Sequence, residues 1–409
     1  MVRRALFFVL LLAAAAPLGA AAQFPSLKKL KDSAKEAAKK EALKKAVKGD
    51  SAKADSAKVD SAKAASPGPQ GAAGGAVQSA KQDPKVWENY DFVPGNKVIF
   101  FTDFSEDRVG NFARGLKYRS GQAEVVERDG AKVLRAMSPA EFLIPVGKAL
   151  PQRFTLEIDV IAPQPKDGEH DVHQMLQIEG GADANSGNES AQVTYMTSLA
   201  WIQGGGQSSP SSNSKVPEAM VPLLRGNVAH LRVLMDGPYF KMYVNERRLY
   251  NIPELAVRRD SVIRVGINAS EEEVVYVTGI RVAESETDVL YDALAAKGRW
   301  ATQGILFATG KAEVQPESRP VLKEIASTLK EHPDLKILIE GHTDNVGTPA
   351  SNLSLSDARA AAVKAALVAD FGVDAARITT KGLGDTKPSV PNTTAAGRAQ
   401  NRRVEIVKV

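Results

Sequence analysis

Cysteine is absent from this 409-residue sequence, which excludes disulfides, thiolate metal sites and lipid attachment through an N-terminal cysteine. Long apolar runs are also missing beyond the N-terminal segment, so the sequence predicts no membrane-spanning helix after it. The excess of basic charge is small, because the formal charge falls from +5 to +3 without Arg3 and Arg4. Basic residues are not interleaved with aromatic ones, and the sequence therefore predicts no nucleic-acid binding.

The length and composition indicate a soluble, multidomain chain, because a single hydrophobic core seldom extends over 409 residues. At the N-terminus, Arg3 and Arg4 precede an apolar run at 5–16, and small residues follow. This pattern predicts a secretory signal peptide over residues 1–22. The alternative is an uncleaved membrane anchor, which Pro17 and the shortness of the apolar run disfavour.

Residues 23–86 have the composition of a spacer. Lysine and alanine dominate residues 26–48, where the apolar residues at helical spacing are mostly alanines that bury little surface. A five-residue repeat of the type DSAKx then begins at Asp50, Asp55 and Asp60. Because a five-residue period turns about 140° around an α-helix, no residue type stays on one face. We therefore expect a helical or disordered spacer; adhesion of its lysine-rich part to anionic lipid is the alternative.

From about residue 87 the pattern changes to that of β-strands. Within 153–160, apolar residues alternate strictly with polar ones, as in a strand with one buried face. Turn sequences stand at 236–238 and 245–246. Further strands are predicted at 231–235, 240–244, 261–267 and 273–282. Short strands with little helix between them predict an antiparallel β-sandwich, a jelly roll, over residues 87–285.

The hairpin that continues into Tyr243-Val-Asn-Glu-Arg-Arg resembles the concanavalin- and laminin-G-like jelly rolls, over about residues 91–283. Laminarinase-type glycoside hydrolases share that fold and carry Glu-x-Asp-x-(x)-Glu on one strand. Glu157 and Asp159 match the start of that motif, but positions 161 and 162, where the proton-donating Glu would stand, are Ile and Ala. A retaining glycosidase needs both carboxyl groups, so we expect a binding domain, with a catalytic sandwich as the alternative.

The last region, 286–409, predicts an α+β domain with a mixed sheet and helices. Strands are expected at 305–307, 335–341, 378–383 and 403–409. Ser318 is expected to cap one helix, and Ser354 a second helix that ends at Gly372. The buried stripe of the second helix is predicted to comprise Leu355, Ala358, Ala362, Ala366 and Leu367.

Four blocks of this region match one family in their order along the chain. They are Ile339-Glu-Gly-His-Thr-Asp-Asn-Val-Gly347, Asn352-Leu-Ser-Leu-Ser-Asp-Ala-Arg-Ala360, Lys381-Gly-Leu-Gly-Asp385 and Gly397-Arg-Ala-Gln-Asn-Arg-Arg-Val-Glu-Ile406. The region resembles the OmpA-like peptidoglycan-binding domain, which also ends peptidoglycan-associated lipoproteins and flagellar stator B subunits. The resemblance covers about a quarter of the chain.

The resemblance implies a site for diaminopimelate of the peptidoglycan stem, whose free end carries an ammonium and a carboxylate on one carbon. The family's ligand-binding acid matches Asp344, for the ammonium, and its arginine matches Arg359, for the carboxylate. An arginine can hold a carboxylate by two parallel hydrogen bonds, which a lysine cannot. Thr343 and Asn352 match positions that line the same cleft and are expected to orient the stem.

Neighbouring residues receive supporting roles from the same resemblance. His342 is expected to fill the end of its strand. Arg402 and Arg403 match a pair with a mainly structural role, of which one can reach the rim of the cleft. The helix start near Ser354 is expected to add free N–H groups and a positive dipole end beside the site.

Two points stay open at this level. Asp344 and Arg359 could instead form an ordinary surface salt bridge. Many members of the family carry Asp and Asn where this sequence has Ala308 and Gly310. The exchange lowers affinity if those side chains support the cleft, and changes little if that wall acts through its backbone.

A metal site is suggested by one segment only weakly. Residues 169–173 contain two histidines, with Glu179 and Asp183 nearby, but a solvated acidic loop explains them better and no further metal motif accompanies them. We therefore expect neither a metal nor a cofactor.

The sequence predicts a non-enzymatic tether in the periplasm, associated with the outer membrane and the cell wall. Its expected partners are peptidoglycan, bound by the last domain, and a glycan or an outer-membrane protein, bound by the sandwich. The alternatives are a glycan- or wall-processing enzyme and a stator-like protein of the inner membrane.

Overall fold

A computed structural model describes residues 90–162, 176–180, 191–203, 212–218, 220–285 and 290–409. The predicted signal peptide, the predicted spacer and the histidine-containing loop at 169–173 lie outside these residues. All the described residues belong to one unit, Gln78–Val409. Within the described ranges, no helix combines the length and apolar character that crossing a membrane requires.

The described chain up to residue 285 consists of strands and one helical turn, Val221–Leu224. In chain order the strands are β1 (Lys97–Thr102), β2 (Lys117–Ser120), β3 (Ala123–Arg128), β4 (Ala131–Ala136), β5 (Ala140–Pro145), β6 (Arg153–Ile161), β7 (Leu176–Gly180), β8 (Gln192–Tyr195), β9 (Leu199–Gln203), β10 (Ser212–Lys215), β11 (Val228–Asp236), β12 (Tyr239–Val244), β13 (Arg247–Ile252), β14 (Val262–Ile267) and β15 (Val275–Glu284).

These strands form two antiparallel sheets. The eight-stranded sheet has the order β13-β12-β11-β6-β15-β4-β3, and β1 also pairs with β15. The seven-stranded sheet has the order β10-β9-β8-β7-β14-β5-β2. Both sheets contribute to one hydrophobic cluster, which includes the buried residues Phe142, Ile158, Tyr195 and Leu231. The antiparallel, strand-rich prediction is confirmed, while the jelly-roll and laminin-G-like assignments stay predictions.

Strand β6 shows how the alternating pattern becomes a two-faced strand. Phe154, Leu156, Ile158 and Val160 belong to the shared core, and the residues between them form the outer face of the sheet. The predicted turns at each end of β12 are confirmed by the registers of β11 with β12 and of β12 with β13.

The remaining elements form the C-terminal domain. They are α1 (Leu290–Lys297), β16 (Arg299–Thr302), α2 (Arg319–Glu331), β17 (Ile337–His342), α3 (Pro349–Phe371), β18 (Ile378–Gly384), α4 (Ala395–Asn401) and β19 (Val404–Lys408). Short 3₁₀ turns, Pro316–Ser318 and Ala375–Arg377, precede α2 and β18. The sheet order is β16-β19-β17-β18, with β17 parallel to β18 and the other pairs antiparallel. The predicted mixed sheet with helices is therefore confirmed.

The first predicted strand of this domain, 305–307, is wrong. The edge strand is β16, and Phe307 makes only an isolated bridge with Val314. The backbone N–H of Leu306 is taken by the hydroxyl oxygen of Ser318 at 2.8 Å, so this segment bonds to the start of α2 instead of to a strand. For the same reason Ser318, although it stands at the start of α2, makes no side-chain cap.

The predicted start of α3 at Ser354 is also wrong. The helix begins at Pro349, after Thr348, whose side-chain oxygen accepts a hydrogen bond from the backbone N–H of Ser351 at 3.2 Å. Threonine followed by proline is itself a strong start signal, because proline suits the first helical position and threonine the cap. The predicted end at Gly372 is confirmed, with a left-handed φ of 67°.

The buried face of α3 differs from the predicted stripe and shares only Leu367 with it. The buried residues are Asn352, Ser356, Ala360, Val363 and Leu367. The Ser356 hydroxyl donates to the carbonyl of Leu353 at 2.8 Å and accepts from the backbone N–H of Gly384 at 2.8 Å. Two residues of the buried face, Asn352 and Ser356, are polar and make hydrogen bonds. A stripe predicted from apolar residues alone therefore falls on the wrong face of the helix.

The small residues of α3 allow β17 to approach the helix backbone closely. A Cβ added at Gly341 would lie 2.2 Å from the carbonyl oxygen of Ser356, far inside contact distance. We expect Gly341→Ala to lower the free energy of unfolding by about 3 kcal/mol, as overpacking of a tight core does. The control is Gly266→Ala, where the new Cβ would meet its nearest atom at 3.6 Å. Denaturant unfolding of the full chain compares the two, and equal losses would contradict the close contact.

Helix α4 joins the C-terminal domain to the eight-stranded sheet through β1. The Gln400 side chain accepts a hydrogen bond from the backbone N–H of Val98 at 2.6 Å and donates to the carbonyl of Asn96 at 2.6 Å. Arg398, on the same helix, forms an ion pair with Glu106. Because of these contacts, the end of β17 and the outer face of the eight-stranded sheet border the same cleft.

Candidate functional site

A cleft of about 900 Å³ opens where the C-terminal domain adjoins the eight-stranded sheet. All four predicted site residues line it: Thr343, Asp344, Asn352 and Arg359. Thr343 and Asp344 directly follow β17, and Asn352 lies in the first turn of α3. Arg359 follows seven residues later, about two turns along the same helix face. The fold thus brings the four residues together.

Asp344 is held from several sides. Its Oδ2 accepts a hydrogen bond from Nη1 of Arg402 at 2.6 Å, and its Oδ1 accepts one from the backbone N–H of Val346 at 3.0 Å. The side-chain amide of Asn352 donates to the Asp344 carbonyl at 3.2 Å. The ion partner of Asp344 within the described chain is therefore Arg402, and the salt bridge with Arg359 considered above is not formed.

Arg402 reaches the site because it directly follows α4. Its guanidinium lies over the ring of Phe101, with Cζ 5.0 Å from the ring centroid. Of the two arginines with an expected structural role, Arg402 is the one that lines the cleft. Sequence reasoning gave it no ligand role, because its two contacts come from residues that are remote in the chain.

Arg359 is positioned by an aromatic ring and a backbone carbonyl. Its Cζ lies 4.9 Å from the centroid of the Phe307 ring, and its Nε donates to the carbonyl of Lys311 at 3.0 Å. The wall that contains Ala308 and Gly310 thus supports Arg359 through its backbone. Burial and the neighbouring Arg402 guanidinium lower the pKa of Arg359, although the Asp344 carboxylate acts in the opposite direction.

Thr343 offers the cleft an unused polar group. Its backbone N–H donates to the carbonyl of Gly384 at 3.0 Å, which fixes the residue at the end of β17. Its hydroxyl oxygen is buried and has no hydrogen-bond partner among the residues that the structure describes. Burying a hydroxyl without a partner is unfavourable, so a ligand that supplies the missing hydrogen bond gains from it.

The geometry places two guanidiniums, those of Arg359 and Arg402, beside the single carboxylate of Asp344. Residues 306–402, which contain Thr343, Asp344, Asn352, Arg359 and Arg402, match the OmpA family. The C-terminal domain is an OmpA-family domain.

Similar proteins carry this domain in different contexts. The chain is 43% identical over 101 residues to outer membrane porin F of Pseudomonas aeruginosa, a match that covers 25% of this chain and 29% of the porin. It is 44% identical over 103 residues to the peptidoglycan-binding protein ArfA of Mycobacterium bovis, covering 25% of this chain and 31% of ArfA. The match therefore spans less than a third of either relative.

Among solved structures, the peptidoglycan-associated lipoprotein from Burkholderia pseudomallei is 36% identical to this chain. The match covers 30% of this chain and 100% of that one, with a TM-score of 0.26.

Behind the cleft, the OmpA-family domain contains a buried cluster of ionisable groups. Ligand atoms of Glu340, His342 and Glu405 lie within 4.8 Å of one another, which is close enough for a shared metal ion. However, the Glu405 carboxylate accepts hydrogen bonds from Arg403 at 2.7 Å and from Arg299 at 2.6 Å. A cation would have to displace these guanidiniums, so the cluster is better suited to ion pairing than to metal binding.

His342, the last residue of β17, is buried in the strand end where it was expected. Burial, reinforced by the Arg403 guanidinium, lowers its pKa from the ordinary 6.5 to about 4. Between these values the unfolded chain binds a proton that the folded domain rejects, so stability falls as the pH drops from 6.5 towards 4. We expect a loss of at most about 3 kcal/mol from this group.

The replacement His342→Gln tests this titration, because glutamine keeps polar atoms but cannot ionise. Denaturant unfolding of the full chain across the same pH range should give a shallower loss of stability for His342→Gln than for the unchanged protein. An identical slope in both proteins would show that His342 does not carry the effect.

Two of the carboxylates singled out by the sequence outside this domain, Glu157 and Glu179, are bound by arginines. Glu157 is buried and lies between the guanidiniums of Arg281, which donates to it, and Arg232, whose Nε is 3.6 Å from Oε2. Glu179, suggested above as a metal ligand, is buried and accepts from Arg264. Glu157 is thus committed to ion pairs, an arrangement unlike that of a nucleophile poised beside a proton donor.

Proposed function

We propose that the OmpA-family domain binds peptidoglycan non-covalently, through the diaminopimelate of its peptide stem. Asp344 accepts the ammonium group and Arg359 holds the carboxylate, while Thr343 and Asn352 orient the stem. The observation that carries the proposal is the charge arrangement around Asp344, where the guanidiniums of Arg359 and Arg402 stand beside its carboxylate. The similarity to ArfA, a peptidoglycan-binding protein, supports it.

A zwitterion suits this arrangement better than a single charge does. The ligand carboxylate supplies the anion that the pair Arg359 and Arg402 lacks, since Asp344 alone cannot neutralise both. A carboxylate can accept hydrogen bonds along about four lone-pair directions. Asp344 can therefore accept a hydrogen bond from the ligand ammonium and still keep its bond to Arg402. Both charges of the head group are thereby satisfied in one place.

A single site of this kind binds weakly, because it holds one head group. The wall presents the same stem many times, and several copies of the protein at a membrane would gain avidity from that repetition. We propose that the domain tethers the envelope to the wall from the periplasm, near the outer membrane. In this proposal, residues 23–86 give reach, the β-rich region of 87–285 binds a glycan or a protein, and the chain is not an enzyme.

Co-sedimentation of the full-length protein with purified sacculi tests the proposal. We expect binding that free meso-diaminopimelate competes away. Pimelate, which lacks both ammonium groups, and cadaverine, which lacks both carboxylates, serve as competitors that each keep only one kind of charge, and both should have little effect. Absence of sedimentation, or equal competition by all three compounds, would refute recognition of the zwitterion.

A further inference from the structure

The cleft has a second wall, which belongs to the outer face of the eight-stranded sheet. The residues of β6, β11 and β15 with polar side chains that line it are Glu157, Asp159, His230, Arg232, Thr278 and Arg281. On β6 and β11 they alternate with core residues such as Ile158 and Leu231, so they point away from the shared core. The proposed stem site and this sheet face therefore open into the same space.

The register of the strands determines which charged side chains of this wall lie beside each other. Glu157 of β6 stands in register with Arg232 of β11 on one side and with Arg281 of β15 on the other. Asp159 stands opposite His230. The two arginines are thereby engaged by carboxylates, because Arg232 also donates to Asp159 at 2.6 Å.

The charged or ionisable side chains of this wall that remain most accessible are Asp159 and His230. Arg232 and Arg281 expose 7% and 12% of their side chains, whereas Asp159 and His230 expose 29% and 32%. Asp159 uses Oδ1 for its contacts with both Arg232 and His230. Although burial acts to raise it, the charge of Arg232 and the hydrogen bond with His230 hold the pKa of Asp159 well below its ordinary value. Asp159 is therefore an ionised group that can only accept hydrogen bonds.

The segment after β1 adds groups of the same kind. Asp103, Ser105 and Glu106 line the cleft and are exposed. Together with Asp159, they give this side a surplus of accessible carboxylates. Such a surface repels a further carboxylate and favours groups that donate hydrogen bonds, among them the hydroxyl groups of a sugar.

The size of the cleft agrees with a ligand larger than one amino-acid head group. Its volume of about 900 Å³ lies near the top of the roughly 300–1,000 Å³ range of pockets that enclose drug-sized ligands. Asp344 and Arg359 account for one end of the lining only.

We infer that the outer face around Asp159 and His230 is a second subsite, which binds the sugar units of the same wall fragment whose stem occupies the first. The inference rests on the proposed function of the stem site. It places the glycan that the β-rich region is proposed to bind in this same cleft. Recognition then requires both parts of the chain, and a sugar-bearing fragment binds more tightly than the amino acid alone.

Calorimetric titration of the full-length protein tests the inference with two probes. One is free meso-diaminopimelate, and the other is the N-acetylglucosaminyl-N-acetylmuramyl peptide that ends in diaminopimelate. For the unchanged protein we expect the sugar-bearing probe to bind at least about tenfold more tightly. In the double variant Asp159→Asn, His230→Gln that gain should disappear, while the affinity for free diaminopimelate stays unchanged.

The matched control is Asp236→Asn, which removes a carboxylate from the other end of β11, where Asp236 pairs with Arg153 outside the cleft. It should bind both probes normally. Equal binding of the sugar-bearing probe by the double variant and the unchanged protein would overturn the second subsite. If the variant Asp344→Asn binds both probes as the unchanged protein does, the stem site is overturned instead. The two failures are therefore distinguishable.

A measurement on the unchanged protein covers the case in which the double variant fails to fold. The imidazole NMR signals of His230 should shift on addition of the sugar-bearing probe and stay in place on addition of free diaminopimelate. If the sugar-bearing probe leaves these signals unchanged, the subsite is refuted.

Discussion

The variant Asp344→Asn should lose retention on sacculi, with an affinity for diaminopimelate lowered at least about 30-fold, or about 2 kcal/mol. Asparagine keeps an oxygen that can accept the Val346 N–H, so the turn after β17 should persist. The negative charge is lost, however, and the ligand ammonium then meets Arg402 and Arg359 without a carboxylate between them. The repulsion adds to the lost hydrogen bond, which is why we expect one of the largest effects here.

The control for this variant is Asp370→Asn, at the exposed C-terminal end of α3. It removes the same charge about 16 Å along the helix from Arg359. It should sediment with sacculi as the unchanged protein does. Retention of Asp344→Asn at the level of Asp370→Asn, in a protein with unchanged melting temperature, would remove Asp344 from the site.

The variant Arg359→Lys should weaken diaminopimelate binding about tenfold, although it conserves the charge. Lysine cannot form two parallel hydrogen bonds with a carboxylate, and it stacks less well on the Phe307 ring. It also loses the planar donor that now bonds the Lys311 carbonyl. Arg359→Ala should lose more, because the positive charge disappears as well.

An arginine of the same domain provides the control. Arg319 lies over the ring of Phe371, with Cζ 5.4 Å from the centroid, and does not line the cleft. Arg319→Lys therefore makes the same chemical change on a comparable stack and should leave binding intact. If the two lysine variants bind diaminopimelate equally, Arg359 has no bidentate role.

Local patterns in the sequence predicted much of the fold. The alternation along β6 and the turns flanking β12 depend on neighbouring residues, and the structure agrees with them. The end of α3 at Gly372 follows from the left-handed conformation that glycine adopts easily. The OmpA-like resemblance, carried by four blocks, predicted that Thr343, Asp344, Asn352 and Arg359 share one cleft. In the structure all four line the same cleft.

Features that depend on remote contacts were not predictable in this way. Arg402 pairs with Asp344 and stacks on Phe101, and no periodicity relates these positions. The buried face of α3 contains Ser356 because β17 and β18 approach the helix at glycines, which only the packed structure reveals. The sheet face around Asp159 was visible as a polar side of β6, but its position in the cleft follows from the docking of α4 on β1.

A crystal structure of the full-length protein with meso-diaminopimelate tests the central claim most directly. We predict one head group of the ligand in the cleft, with its carboxylate on the guanidinium of Arg359 by two hydrogen bonds and its ammonium on the carboxylate of Asp344. A ligand bound elsewhere on the chain, or one in this cleft that contacts neither side chain, would contradict the account.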